Sequence, residues 1–131
     1  MAAAIPTISE AESRVMEVLW RQAPRSSEEI VAGLQRTSDW HEKTIRTLLG
    51  RLLRKGAVRA EREGRRYLYA PVLTREQWQA QESRSLLDRV FGGRVGPLLA
   101  HFSRSEKLSA KDIAELRKLI DEIERTERRH G

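Results

Sequence analysis

The stretch Glu42–Lys55, EKTIRTLLGRLLRK, constrains the fold more than any other part of the chain. At about 100° per residue, Ile45, Leu48, Leu49, Leu52 and Leu53 fall in one arc, while Lys43, Thr44, Arg46, Thr47, Gly50, Arg51 and Arg54 fill the rest. A helix here has one face for a core and another left for something else, and Gly56 is placed to end it. A lone basic helix is ordinarily just a solvated surface. This outer face differs in having almost no balancing acid and in carrying short Thr and Gly residues that permit close approach.

The residues that follow read as a hairpin. Ala57 to Arg62 and Arg65 to Val72 make two strands around Glu63-Gly64, with Val58 and Ala60 on one and Tyr67 and Tyr69 on the other alternating in period two. A hairpin directly after such a helix is a wing, and both tyrosines are expected to pack it onto the helices. Arg62, Arg65 and Arg66 sit at its tip, where nothing apolar could hold them, as candidates for phosphate contact. Charge supports the same reading. Between Lys43 and Arg66 stand nine basic and two acidic residues, a local +7 in a chain whose formal net charge is +6, so the basicity belongs to this window. A positive field confined to a helix and a hairpin points to a groove-reading surface for nucleic acid.

Upstream, Ser9 with Glu12 three residues on is a capping box, and Ala11, Val15, Met16, Val18, Leu19 and Trp20 continue a first helix from about Glu10 to Arg21. Ala23-Pro24-Arg25 breaks it. Ser26 or Ser27 then caps a short second helix with Ile30, Val31 and Leu34 facing inward. Downstream, Thr74 caps a long helix to about Phe91, carrying Trp78, Leu86, Leu87, Val90 and Phe91 and stopped by Gly92-Gly93. Val95, Leu98, Leu99 and Phe102 mark a fifth helix. Ser109 with Asp112 opens a sixth, in which Ile113, Leu116, Ile120 and Ile123 keep the 3,4,3 spacing of a heptad seam, and Glu127 to Gly131 read as frayed. These last helices have apolar stripes but little core of their own to cover, which predicts packing against an identical partner through Leu86, Leu87, Val90, Leu98, Leu99, Phe102, Ile113, Leu116, Ile120 and Ile123.

At 131 residues the chain can bury one ordinary core and a small appended element. The fold class expected is mainly α with a small β-hairpin wing: a winged helix-turn-helix domain over residues 8–72 and a helical dimerisation region over residues 73–126. With no cysteine and only His41, His101 and His130, far apart, no metal site or cofactor is expected. Neither a Gly-rich phosphate loop nor a nucleophile elbow is present, and no enzyme is read here. No apolar run approaches the roughly 20 residues of a membrane span. The start, MAAAIPTIS, lacks the features of a secretory signal, so a cytoplasmic protein without membrane insertion is expected.

This ordered set resembles the BlaI/MecI family of penicillinase and methicillin-resistance repressors. The similarity lies in Ile8-Ser9-Glu10-Ala11-Glu12 with Val15, Met16 and Trp20, in Lys43-Thr44-Ile45-Arg46-Thr47-Leu48 with Arg51-Leu52 and Lys55-Gly56, and in Gly92-Gly93, Leu98-Leu99, Phe102 and Leu108-Ser109 to Leu116-Arg117. It covers about Ile8 to Ile123. The resemblance implies a winged-helix dimer that represses transcription from a palindromic operator in double-stranded DNA, with control of β-lactam-response genes as one family role. Lys43 and Arg46 become candidates for base edges, Arg51, Arg65 and Arg66 for phosphates, and Thr44 and Thr47 for either. In antibiotic-responsive members a membrane sensor-protease system triggers cleavage between an Asn and a Phe, and the matching pair here is His101-Phe102, where the Asn is absent. Two other readings use the same surface differently: a winged-helix protein-interaction module meeting an acidic protein, and a winged-helix repressor responsive to a small molecule.

Overall fold

Ser9 opens α1 (Glu10–Arg21) with a complete capping box: its hydroxyl accepts the Glu12 N–H at 3.1 Å while the Glu12 carboxylate accepts the Ser9 N–H at 2.7 Å. Ser26 repeats the device with Glu29 at the start of α2 (Ser27–Gln35), which settles the choice between the two serines. The N–H and hydroxyl of Ser26 hold the Glu29 carboxyl below its ordinary pKa. Helix α3 spans Glu42–Lys55 and ends at Gly56, whose φ of 78° is the left-handed conformation that a residue without a Cβ adopts freely. The Gly56 N–H reaches the Leu53 carbonyl and the Ala57 N–H the Leu52 carbonyl, the pair of bonds that defines a Schellman stop.

The computed structural model describes residues 4–105 and 108–130. The start at Met1–Ala3 and the end at Gly131, both used above, lie outside them. The chain divides into two compact units, Met1–Ser83 and Arg84–Gly131.

In the first unit, Val15, Met16 and Leu19 of α1, Ile30, Val31 and Leu34 of α2, and Ile45, Leu48, Leu49 and Leu52 of α3 make the core with Ile8, Ala57, Val58 and Leu73. The hairpin strands are β2 (Val58–Glu63) and β3 (Arg66–Pro71). Their register, Val58 opposite Pro71 and Glu63 opposite Arg66, leaves Gly64-Arg65 as the turn. That moves the turn one residue from the expected Glu63-Gly64, because Gly64 with φ 63° takes the first central position of a type II′ turn. A third strand, β1 (Arg25–Ser26), pairs antiparallel with β3 and completes a sheet of order β1-β3-β2. Two residues carry no periodicity of their own, so nothing in the sequence announces β1.

Helix α4 runs Arg75–Phe91, α5 Val95–Ser105 and α6 Ala110–His130. Thr74 and Gln77 exchange bonds of 3.0 Å at the start of α4, and Ser109 and Asp112 exchange bonds of 3.3 and 3.0 Å at the start of α6. The expected fraying from Glu127 is not observed: α6 continues to His130, with Arg128, Arg129 and His130 in its last turn where positive charge opposes the helix dipole.

Candidate nucleic-acid interface

The two faces of α3 are as unlike in space as in sequence. Ile45, Leu48, Leu49 and Leu52 are buried, whereas Lys43, Thr44, Arg46, Thr47, Arg51 and Arg54 are exposed together along the outer side. His41 caps the helix, its Nδ1 accepting the Lys43 N–H at 3.0 Å, a role that sequence reading did not assign to it. Among the described residues, Lys43, Arg51 and Arg54 form no ion pair. Lys55, by contrast, is turned away: its ammonium bonds the Thr7 carbonyl and the carboxylate of Glu12, so one of the nine positive charges serves the fold.

Arg46 is held in place. Its Nε and Nη2 donate to Oε1 of Glu42 at 3.1 and 2.8 Å, and its Nη1 donates to Oγ of Ser27 at 3.0 Å. The Thr47 hydroxyl donates to the Lys43 carbonyl at 2.9 Å, which uses its one donor and leaves both oxygen lone pairs able to accept.

On the wing, Arg62, Arg65 and Arg66 are all exposed, as expected of the tip. The Nε of Arg62 donates to the Gly64 carbonyl at 3.1 Å and closes the turn. The tyrosines divide. Tyr69 packs against the core, but Tyr67, on the same sheet face one pleat nearer the tip, is 51% exposed. The expectation that both pin the hairpin down therefore fails for Tyr67, because the face runs past the edge of the helices before it is reached. Its cross-strand neighbour is Arg62, so an aromatic ring and a guanidinium share the outer end of the wing.

In the second unit, no described residue of α5 or α6 is buried. Leu86, Val90, Phe102, Ile113, Ile120 and Ile123 are exposed, Val90 and Ile123 by 57% and 59%, while Leu87, Leu98, Leu99 and Leu116 are half-buried. His101 and Phe102 lie inside α5, with the His101 ring 6.0 Å from that of Phe102 and 6.4 Å from that of Phe91. No helix among the described residues is long and apolar enough to cross a membrane.

The chain is similar to known proteins over most of its length. The family model for penicillinase repressors matches residues 8–122. The penicillinase repressor of Bacillus licheniformis is 36% identical over 90% of this chain and 92% of its own length. The methicillin resistance regulatory protein MecI of Staphylococcus aureus strain N315 is 31% identical over 87% of this chain and 93% of its own. Among solved structures, the monomeric form of Bacillus licheniformis BlaI in complex with the blaP half-operator superposes with a TM-score of 0.51 at 40% identity, covering 56% of this chain and 90% of that one. A family model matched over residues 8–122 and relatives matched over most of both chains give the assignment: the chain belongs to the penicillinase repressor (BlaI/MecI) family of winged helix-turn-helix, DNA-binding transcriptional repressors.

Proposed function

We propose that this chain represses transcription as a homodimer seated on an inverted-repeat operator in cytoplasmic DNA, each subunit laying α3 in the major groove with the wing beside it. The observation that carries the proposal is the outer face of α3, where Lys43, Arg51 and Arg54 stand exposed without a partner among the described residues, beside Arg46. Lys43 and Arg46 take base edges, Thr44 and Thr47 bases or phosphates, and Arg51, Arg54, Arg62, Arg65 and Arg66 phosphates. A half-operator is what the related BlaI structure holds, and a symmetric dimer supplies two such readers about one helical turn apart.

The dimer is supported by the apolar stripes of the C-terminal helices, whose exposed Val90, Ile120 and Ile123 would otherwise stand in water. A second copy offers the same stripe and covers it reciprocally. Control of β-lactam-response genes follows the family. Release by a membrane sensor-protease system at His101-Phe102 would require α5 to open locally first, since proteases take their substrates extended.

Selection from random duplexes tests the reading. The protein should enrich a short inverted repeat, with affinity falling steeply as salt rises because several phosphates are neutralised per subunit. Recovery of no preferred sequence overturns it.

A further inference from the structure

Three of the five N–H donors of Arg46 are already engaged inside the protein, two on Glu42 and one on Ser27. We propose that Glu42 and Ser27 are positioning residues for base readout, holding the Arg46 guanidinium in one orientation on the outer face of α3 so that its two remaining donors meet a single base edge. The inference rests on the groove-binding role of α3 given above.

The geometry favours guidance over concealment. Glu42 lies one turn before Arg46 on the same helix, and its side chain is 53% exposed, that of Arg46 42% exposed, so the pair stands at the surface. Ser27 comes from the first turn of α2, 19 residues upstream, and approaches the guanidinium from the other helix of the helix-turn-helix pair. A long side chain bonded from two helices has its rotamer freedom reduced before any base arrives, so less ordering remains to oppose binding. Two free donors are what a bidentate contact to guanine O6 and N7 requires.

Glu42 has a second consequence. A carboxylate at the mouth of a groove is repelled by phosphates on every sequence alike, while it can accept from the exocyclic amine of a neighbouring cytosine. It therefore lowers binding to all duplexes and is compensated only on a correct one. Such an arrangement sharpens discrimination at the expense of affinity.

The test uses the full chain and the inverted repeat that the wild type selects from random duplexes. Binding of the wild type, Glu42→Ala, Ser27→Ala and Arg46→Ala is measured on that repeat, on variants substituted at each base, and on unrelated duplex. Glu42→Ala should bind unrelated duplex as tightly as the wild type or more so, while its preference at the base that Arg46→Ala also flattens falls about two- to tenfold, the scale of re-ordering one long side chain. Ser27→Ala should lose preference at that same base without the gain on unrelated duplex, and Ser27→Thr should restore it. Added to Arg46→Ala, neither change should alter preference at that base further, while the gain of Glu42→Ala on unrelated duplex should persist. Unchanged base preference in both single variants, or losses of preference at that base that add to those of Arg46→Ala, overturns the proposal. A wild type that selects no sequence fails at the earlier step and removes groove reading itself, an outcome distinct from the other two.

Discussion

The indole N–H of Trp20 donates to the carbonyl of Leu73 at 2.8 Å, a bond between residues 53 apart that ties the end of α1 to the chain leaving the wing. The Trp20 ring lies 5.3 Å from that of Trp78 in the first turns of α4, and the Arg75 guanidinium sits 5.6 Å above it while pairing with Glu17. Hairpin and helices are thereby closed into one unit at a point that neither hairpin nor helix supplies alone.

Trp20→Phe should keep most of the ring contact and lose the bond, leaving the carbonyl of a buried residue without its donor. A loss of about 1–3 kcal/mol is expected, read as a lower urea midpoint with unchanged slope. An unchanged midpoint would show that the bond contributes nothing to stability.

Glu12 supplies a pH dependence. Burial, at 1% exposure, pushes its carboxyl up, but the Lys55 ammonium and the N–H and hydroxyl of Ser9 outweigh that and hold it below the ordinary value of 4.5. A carboxyl depressed in the folded state stabilises above its unfolded value, and the contribution is lost as pH falls through the folded one. The urea midpoint of the wild type should therefore decline below about pH 4.5. Glu12→Gln, which keeps the cap bond to Ser9, should show a shallower decline over the same range.

Arg46→Ala and Arg65→Ala should separate two kinds of contact. The first is expected to lose about 1–3 kcal/mol on the selected repeat and to relax preference at one base; the second should weaken all sequences alike and reduce the salt slope by about 1. Titrations at several salt concentrations distinguish them, and identical behaviour of the two variants would sink the division of labour.

Ile120→Asp or Leu116→Asp places a charge in the apolar stripe of α6. Sedimentation should give a dimer for the wild type and a monomer for either variant, with tight operator binding lost because two half-sites need both subunits. A wild-type monomer at micromolar concentration would remove the dimer from the proposal.

The helices were legible from local signals. Ser9 with Glu12 and Ser109 with Asp112 mark starts, Gly56 marks a stop, and the arc of Ile45, Leu48, Leu49 and Leu52 reports a buried face. Each involves residues within a turn or two of one another, so the chain prints them directly. The exposed basic residues of α3 were legible for the same reason. Strand β1 was not, because a two-residue strand exists only through its partner β3. The exposure of Tyr67 was not either: alternation assigned it the face of Tyr69, and only the extent of the helices beneath determines how far along that face burial reaches.

By itself, the sequence determined which segments are helical, which side of each is apolar, and where positive charge concentrates, since these follow from periodicity and from caps a few residues long. Only the tertiary structure decided that Lys55 serves Glu12 instead of the outer surface, and that Arg46 is held from α2 by Ser27. Both depend on side chains distant in sequence meeting at hydrogen-bond range, and no local pattern encodes which of several equally charged residues will have such a partner.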